Sequence, residues 1–321
     1  GVGWGVPDGT HLGSYHPDEW TQVQTALGMV LNGDPNPHFF NYPSAQIYAL
    51  ALWFAPAVLA APETLGAWYL LARLLTVVTG VVLVWVAGRL GQALLGERAG
   101  LLAAALVAGW PLLVVNSHFA TVDVALALWC TVVLWAATEI ARGATWRGWP
   151  WVGAVAVGIA AGTKYNGALA LLPLLLGAWV GGERRPARLA AMGGVAVGVF
   201  VLSSPFIFLD WSTAWPQIRF ELIEHPQASN LFGGVGPGWW FQLATNLPTA
   251  IGWVGLVAAL GGLVVLARGP RAGWPLVLWV VLGLLSMART SELFIRYWLP
   301  LLPALAVAAA AGVRWLAGRW P

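Results

Sequence analysis

The sequence predicts an all-α, polytopic transmembrane helical bundle, and three observations predict it. Of the 321 residues, 59% are hydrophobic and only 9% carry a charge, whereas a soluble globule carries roughly 25% charged residues. Apolar runs long enough to cross a bilayer recur along the chain, each crossing needing about 20 mostly apolar residues. The few charges alternate from loop to loop, with arginines concentrated on every second one. Backbone polar groups in lipid must be satisfied within the segment, so runs of this length favour helices over barrel strands. The same composition excludes a disordered chain, a disulfide scaffold (Cys130 stands alone) and a nucleic-acid-binding domain. Its net charge of +3 balances 16 Lys and Arg against 13 Asp and Glu.

Taken in order, residues 1–66 read as an outer-face segment with juxtamembrane helices. The first basic residue is Arg73, while Asp8, Asp18, Glu19 and Asp34 are acidic, a poor pattern for a cytoplasmic segment. Pro17 followed by Asp18 and Glu19 is a favourable helix start. The apolar run 44–61 nears crossing length, but prolines at 43, 56 and 62 bracket and interrupt it, which suits a re-entrant or interfacial helix. The bundle then occupies 67–321. Its nine crossings are expected at about 67–88, 99–116, 122–141, 149–163, 166–182, 189–207, 247–267, 273–288 and 298–317. Between the sixth and seventh, residues 208–246 intersperse Trp211, Trp215, Phe220, Trp239, Trp240 and Phe241 with Arg219, Glu221 and Glu224. That is the pattern of an amphipathic helix lying on a bilayer.

The positive charges set the orientation. Arg89, Arg98, Arg142, Arg147, Arg184, Arg185, Arg188, Arg268, Arg271, Arg314 and Arg319 all fall on alternate loops, which are therefore read as cytoplasmic. Only Glu97, Glu139 and Glu183 join them, leaving that side at +8 and the outer side at −5. The 22 tryptophans suit a protein with two water–lipid interfaces.

The unusual chemistry gathers on the outer side. Asp18 and Glu19 are explained by a helix start alone, or as carboxylates that take a proton from an acceptor hydroxyl or amine. Asp123 opens an apolar run with no further charge until Glu139. It is either a first-turn acid or a functional group, since a carboxylate at membrane depth needs a partner or a water-filled cavity. His16, His118 and Tyr42 lie in the same outer segments, where an interfacial histidine is often simply wet. Arg73, Lys164, Arg289 and Arg296 are cations at outer-leaflet depth. Each could be paired structurally with an acid; together they are also the donors that an anionic lipid headgroup requires. Scattered acids and single histidines lack metal-ligand spacing, so neither metal site nor cofactor is predicted.

The series HPDEW, NPHFFNYPS, NSHFATVD, GTKYNG, SPFIFLD and FIRYWLPLLP resembles, in order, the membrane glycosyltransferases of the C-type fold. More narrowly it is similar to the protein-mannosyltransferase and aminoarabinose-transferase branch, glycosyltransferase family 39 and relatives. The resemblance implies Asp18-Glu19 as the first-loop acidic pair, with Asp18 the catalytic base, and Asp123 as the second-loop acid. It implies donor-phosphate contacts from Lys164-Tyr165 and Arg296-Tyr297; Arg289 and Arg73, cations at the same depth, are expected to join them, and His16, His118 and Tyr42 are expected near acceptor or sugar. The partners implied are a polyprenyl-phosphate-linked sugar, the lipid bilayer, and an acceptor glycan, lipid or protein. The expected setting is a bacterial-type plasma membrane with the active site on its outer face, the family's first transmembrane helix being absent. Two rival readings stay open: a transporter or flippase of lipid-linked sugars, and a non-catalytic lipid-binding membrane subunit.

Overall fold

The computed structural model describes residues 1–8, 13–58, 62, 64–225, 238–288 and 292–318, and among these no strand occurs. Helix α1 (Pro17–Asn32) starts on a proline with Asp18 and Glu19 in its first turn, and stops at Gly33, whose φ is 67°. That left-handed C-cap is one that glycine adopts without a Cβ clash. Helix α2 (Ala45–Val58) has 14 residues with Pro56 inside it, about 21 Å at 1.5 Å per residue, and packs on α1. Helix α3 (Leu65–Leu95) has 31 residues, with Thr64 accepting from the Ala67 N–H at its start. It overruns the expected crossing at both ends.

The expected crossing 99–116 is two helices, α4 (Glu97–Gly109) and α5 (Pro111–Asn116). Pro111 has no N–H to continue the ladder, so the chain bends at Trp110 and restarts. Helices α6 (Val122–Ala141) and α7 (Trp149–Thr163) have the bounds that the apolar runs predict. The next run begins as a 3-10 turn, Tyr165–Ala170, before α8 (Leu171–Val180) and α9 (Pro186–Ser203).

The tryptophan-rich stretch comprises α10 (Phe206–Leu209), α11 (Trp211–Arg219), a π turn (Phe220–Glu224), α12 (Gly238–Phe241) and a second π turn (Gln242–Asn246). Its Trp211, Trp215, Trp239 and Trp240 are exposed. The chain closes with α13 (Leu247–Arg268), α14 (Trp274–Met287), a 3-10 turn (Ile295–Trp298) and α15 (Leu302–Ala317).

Small residues let the helices approach. A Cβ on Gly262 would lie 1.6 Å from the Ala308 carbonyl oxygen, and one on Gly312 would lie 2.4 Å from that of Ala258. The spacings Ala258-xxx-Gly262 and Ala308-xxx-Gly312 thus bring α13 and α15 backbone to backbone, the small-xxx-small device of membrane helices. Helix α15 is buried from Leu302 to Gly312, while α3, α9 and α13 turn Val81, Leu202 and Val254 outward. Among the described residues, four helical stretches are long and apolar enough to cross a membrane: Leu65–Leu95, Val122–Ala141, Pro186–Ser203 and the continuous run Gly238–Arg268 from α12 through α13. The chain is an integral membrane protein.

The arginine-bearing loops collect at one end of the bundle. Arg314 donates to the Leu95 carbonyl, Arg89 lies 5.7 Å from the Trp135 ring centroid, and Trp135 packs 4.7 Å from Trp149. Arg188 sits 5.1 Å from the Trp146 ring. Because α6 runs from Asp123 to this end, Asp123 and the Lys164 cap of α7 mark the opposite one.

Candidate active site

That opposite end holds three acid–base pairs with different surroundings. Glu19 is fully buried. Its Oε1 accepts from Arg73 Nε at 2.8 Å and from the Ala120 N–H at 2.8 Å, and its Oε2 accepts from Arg73 Nη2 at 2.7 Å and from Ser14 Oγ. Arg73 Nη1 turns back to the carbonyls of Val2 and Trp4, and its guanidinium lies 5.2 Å from the Phe119 ring. Glu19 and Arg73, expected in catalysis and in donor binding, are bonded to each other. The physical reason is desolvation: a fully buried arginine needs a bidentate carboxylate within reach. The pair ties α1, α3, the amino-terminal segment and the turn before α6 together.

The next residue along, Asp18, points elsewhere. Its Oδ2 lies 3.1 Å from Arg296 Nη2, with both side chains nearly one-fifth exposed. Neither Asp18 Oδ2 nor Arg296 Nε makes an aligned hydrogen bond, so this is an ion contact with unused valences. Asp123, in the first turn of α6, accepts from Lys164 Nζ at 3.1 Å through Oδ1, while its buried Oδ2 has no hydrogen-bond partner. Lys164 lies 5.3 Å from the Tyr42 ring and 5.4 Å from the Tyr297 ring, a cation–π sandwich. Burial opposes its charge, but Asp123 and Tyr297 outweigh that and raise its pKa. Lys164 is held as the ammonium.

A cavity of about 660 Å3 opens beside Asp123 and Lys164. Its wall combines polar side chains, among them Tyr42, Asp123, Lys164, Glu221 and Tyr297, with apolar ones, among them Leu126, Leu169, Trp279, Leu282 and Leu301. Asp18 and Arg296 are not in the cavity wall, Arg296 preceding the lining residue Tyr297 in the chain, but their charges, with those of Asp123 and Glu221, act on the Tyr42 phenol. Burial first, then the acids, push the Tyr42 pKa well above its ordinary value. Burial likewise lifts Tyr297 to about 12 and raises the Glu221 carboxyl.

The remaining expected residues divide. His16 precedes α1 with Nδ1 buried and unpartnered, 5.1 Å from the Phe119 ring; burial lowers its pKa despite Asp18, leaving a neutral imidazole beside that acid. Tyr165 lines the cavity, but its hydroxyl donates to the Phe40 carbonyl at 2.7 Å. The His118 ring makes no hydrogen bond or ion pair among the described residues. Arg289 lies outside the described residues. Among them, no group of three or more His, Cys, Asp and Glu converges as a metal site.

Residues that the sequence did not single out also face the cavity. His225 lies 4.0 Å from Glu221 and 3.7 Å from Glu292, and all three line the wall. Glu292 stands four residues before Arg296, the one signal that could have found it.

Among the described residues the chain is a bundle of helices without strands, with an acid-bearing amino-terminal segment beside a cavity of mixed polar and apolar lining. Residues 64–209 match the family model of the dolichyl-phosphate-mannose-protein mannosyltransferases. The crystal structure of ArnT from Cupriavidus metallidurans in the apo state is similar, with TM-score 0.67 and 22% identity over 93% of this chain and 55% of that one. The same protein bound to undecaprenyl phosphate gives TM-score 0.72 and 19% identity over 93% and 56%. The apo oligosaccharyltransferase of Archaeoglobus fulgidus gives 0.66 and 12% identity over 94% and 47%. The chain thus spans about half the length of these relatives. No curated protein matches it in sequence. The family match covers 64–209, less than half of the chain, and the fold is shared with ArnT over 93% of it.

Proposed function

We propose that the protein transfers a sugar from a polyprenyl-phosphate donor to an acceptor on the non-cytoplasmic face, with inversion at the anomeric carbon. The observation that carries this reading is the mixed lining of the cavity: a buried ammonium and phenols share one wall with aliphatic side chains, a combination that suits a charged headgroup on a prenyl chain. In this reading the phosphate contacts Lys164 and Arg296, with Tyr297 beside them. Both cations contact acids, Lys164 with Asp123 and Arg296 with Asp18. An arriving phosphate competes for them, since charge-assisted bonds to phosphate are among the strongest available. Asp18, released from Arg296, then serves as base. It takes the acceptor proton while the acceptor atom bonds to the anomeric carbon. The carbon–oxygen bond to phosphate breaks as this happens, and its electron pair leaves with the polyprenyl phosphate. The cations offset the charge that develops on that leaving group.

Nine crossings, residues 1–66 outside and the arginine-rich end facing the cytoplasm complete the proposal. The setting is a bacterial-type plasma membrane, with the 208–246 stretch lying on the outer leaflet. The common end shared by Arg89, Arg188 and Arg314 supports that sidedness. Acceptors remain a glycan, a lipid or a protein. Glu19 and Arg73 act in this reading as the anchor of the acidic loop and not as reactants.

The test is turnover of the purified protein in lipid with a panel of polyprenyl-phosphate sugars. Release of polyprenyl phosphate that depends on an acceptor is expected. Uptake of donor into sealed vesicles without bond cleavage would instead favour the flippase reading.

A further inference from the structure

Arg296 and Tyr297 stand on a short segment whose placement is not explained by their own contacts. Two buried side chains of the π turn Gln242–Asn246 hold that segment at both ends. Asn246 Nδ2 donates to the Leu293 carbonyl at 2.7 Å and to Gln242 Oε1 at 2.9 Å. Trp298 Nε1 donates to the same Gln242 Oε1 at 2.8 Å. Gln242 is fully buried, and Trp298, Leu293 and Asn246 are nearly so. The amide nitrogen of Gln242 has no partner, so this side chain serves through its oxygen alone. Beyond the segment, Trp279 Nε1 donates to the Pro300 carbonyl at 3.0 Å. Ile295–Trp298 is thereby fixed as a 3-10 turn, and Arg296 and Tyr297 are its two middle residues.

We propose that Gln242 and Asn246 are positioning residues for the phosphate-binding arm: their clamp on Leu293 and Trp298 sets where Arg296 and Tyr297 stand. The inference rests on the reading of Arg296 as a donor-phosphate contact. It is the precision of that contact that the clamp supplies, because a displacement of about 1 Å at a positioned group can cost about 100-fold in rate. A buried clamp does this better than surface contacts, since breaking it leaves donors unsatisfied inside the protein.

The experiment is a double-mutant cycle on affinity for a polyprenyl phosphate in detergent micelles, using Gln242→Leu and Arg296→Ala. Arg296→Ala alone is expected to weaken binding at least tenfold, and Gln242→Leu alone about tenfold. In the Arg296→Ala background, Gln242→Leu is expected to add less than about twofold, since it acts through that arginine. If Gln242→Leu does not fold, Trp298→Phe, which removes one donor and keeps an aromatic side chain at the position, enters the same cycle. Full additivity, or wild-type affinity in a folded Gln242→Leu protein beside a weakened Arg296→Ala, overturns the clamp and leaves the phosphate reading intact. Wild-type affinity in Arg296→Ala overturns both.

Discussion

Asp18 and Glu19 are adjacent on α1, carry the same charge, and are held in opposite ways. Glu19 is sealed from solvent and every bond its carboxylate can make is made, by Arg73, Ser14 and the Ala120 N–H. Asp18 keeps nearly one-fifth exposure and a single ion contact with valences to spare. Asp123 is intermediate, buried like Glu19 but with one oxygen unpartnered. A saturated buried pair resists change; an unsaturated pair at a cavity edge can exchange its partner for a ligand. The difference separates a structural anchor from a reactive group more sharply than residue type does.

The anchor is expected to give the largest effect when broken. Arg73→Met leaves Glu19 charged, buried and without its main partner, a loss of about 3–5 kcal/mol for such a pair. Thermal unfolding in detergent should drop accordingly, and a variant as stable as wild type would show that Arg73 is not the anchor. Asp18→Asn, in contrast, should leave the unfolding temperature nearly unchanged.

Next in size is the exchangeable side of the comparison. Lys164→Ala removes a charge-assisted contact worth about 1.5–3 kcal/mol, so affinity for polyprenyl phosphate should fall about 10- to 100-fold. Isothermal titration with the lipid in micelles measures it. Unchanged affinity would remove Lys164 from the phosphate site.

The smallest effect expected is a pH dependence from His16, the neighbour of the pair. Burial lowers its pKa in the folded protein, so below its ordinary value of 6.5 the unfolded chain binds more protons. Stability contributed by the neutral ring is present above that pH and declines as pH falls through it towards the lowered value. His16→Phe should flatten the unfolding temperature between pH 7 and pH 5; a slope identical to wild type would exclude this histidine as its source.

The fold was legible where it is set by length and hydropathy. Val122–Ala141 and Trp149–Thr163 have the bounds that their apolar runs predict, because polar and Gly/Pro-bearing turns flank them. Pro111 is visible in the sequence, yet an apolar run on both sides of it reads as one crossing instead of α4 and α5. At the site, the cations and acids were legible as a set, since charge at membrane depth is costly and therefore conspicuous. Who pairs with whom was not. Lys164 and Asp123 are 41 residues apart and Arg73 and Glu19 are 54 apart, and no local spacing encodes such contacts. Gln242 and Asn246 carry neither charge nor periodicity, so their clamp emerges only from the folded chain. Glu221 and His225 were masked by the amphipathic pattern around them, which a membrane-surface helix explains by itself.

Asp18→Asn tests the central claim most directly. The measurement is single-turnover sugar transfer alongside donor binding, with Glu19→Gln omitted because it perturbs the anchor. Loss of a general base is worth about 100- to 10,000-fold, so Asp18→Asn is expected to bind the polyprenyl-phosphate donor at least as well as wild type and to transfer its sugar at least 100-fold more slowly. Transfer at the wild-type rate by a folded, donor-bound Asp18→Asn protein would contradict the account.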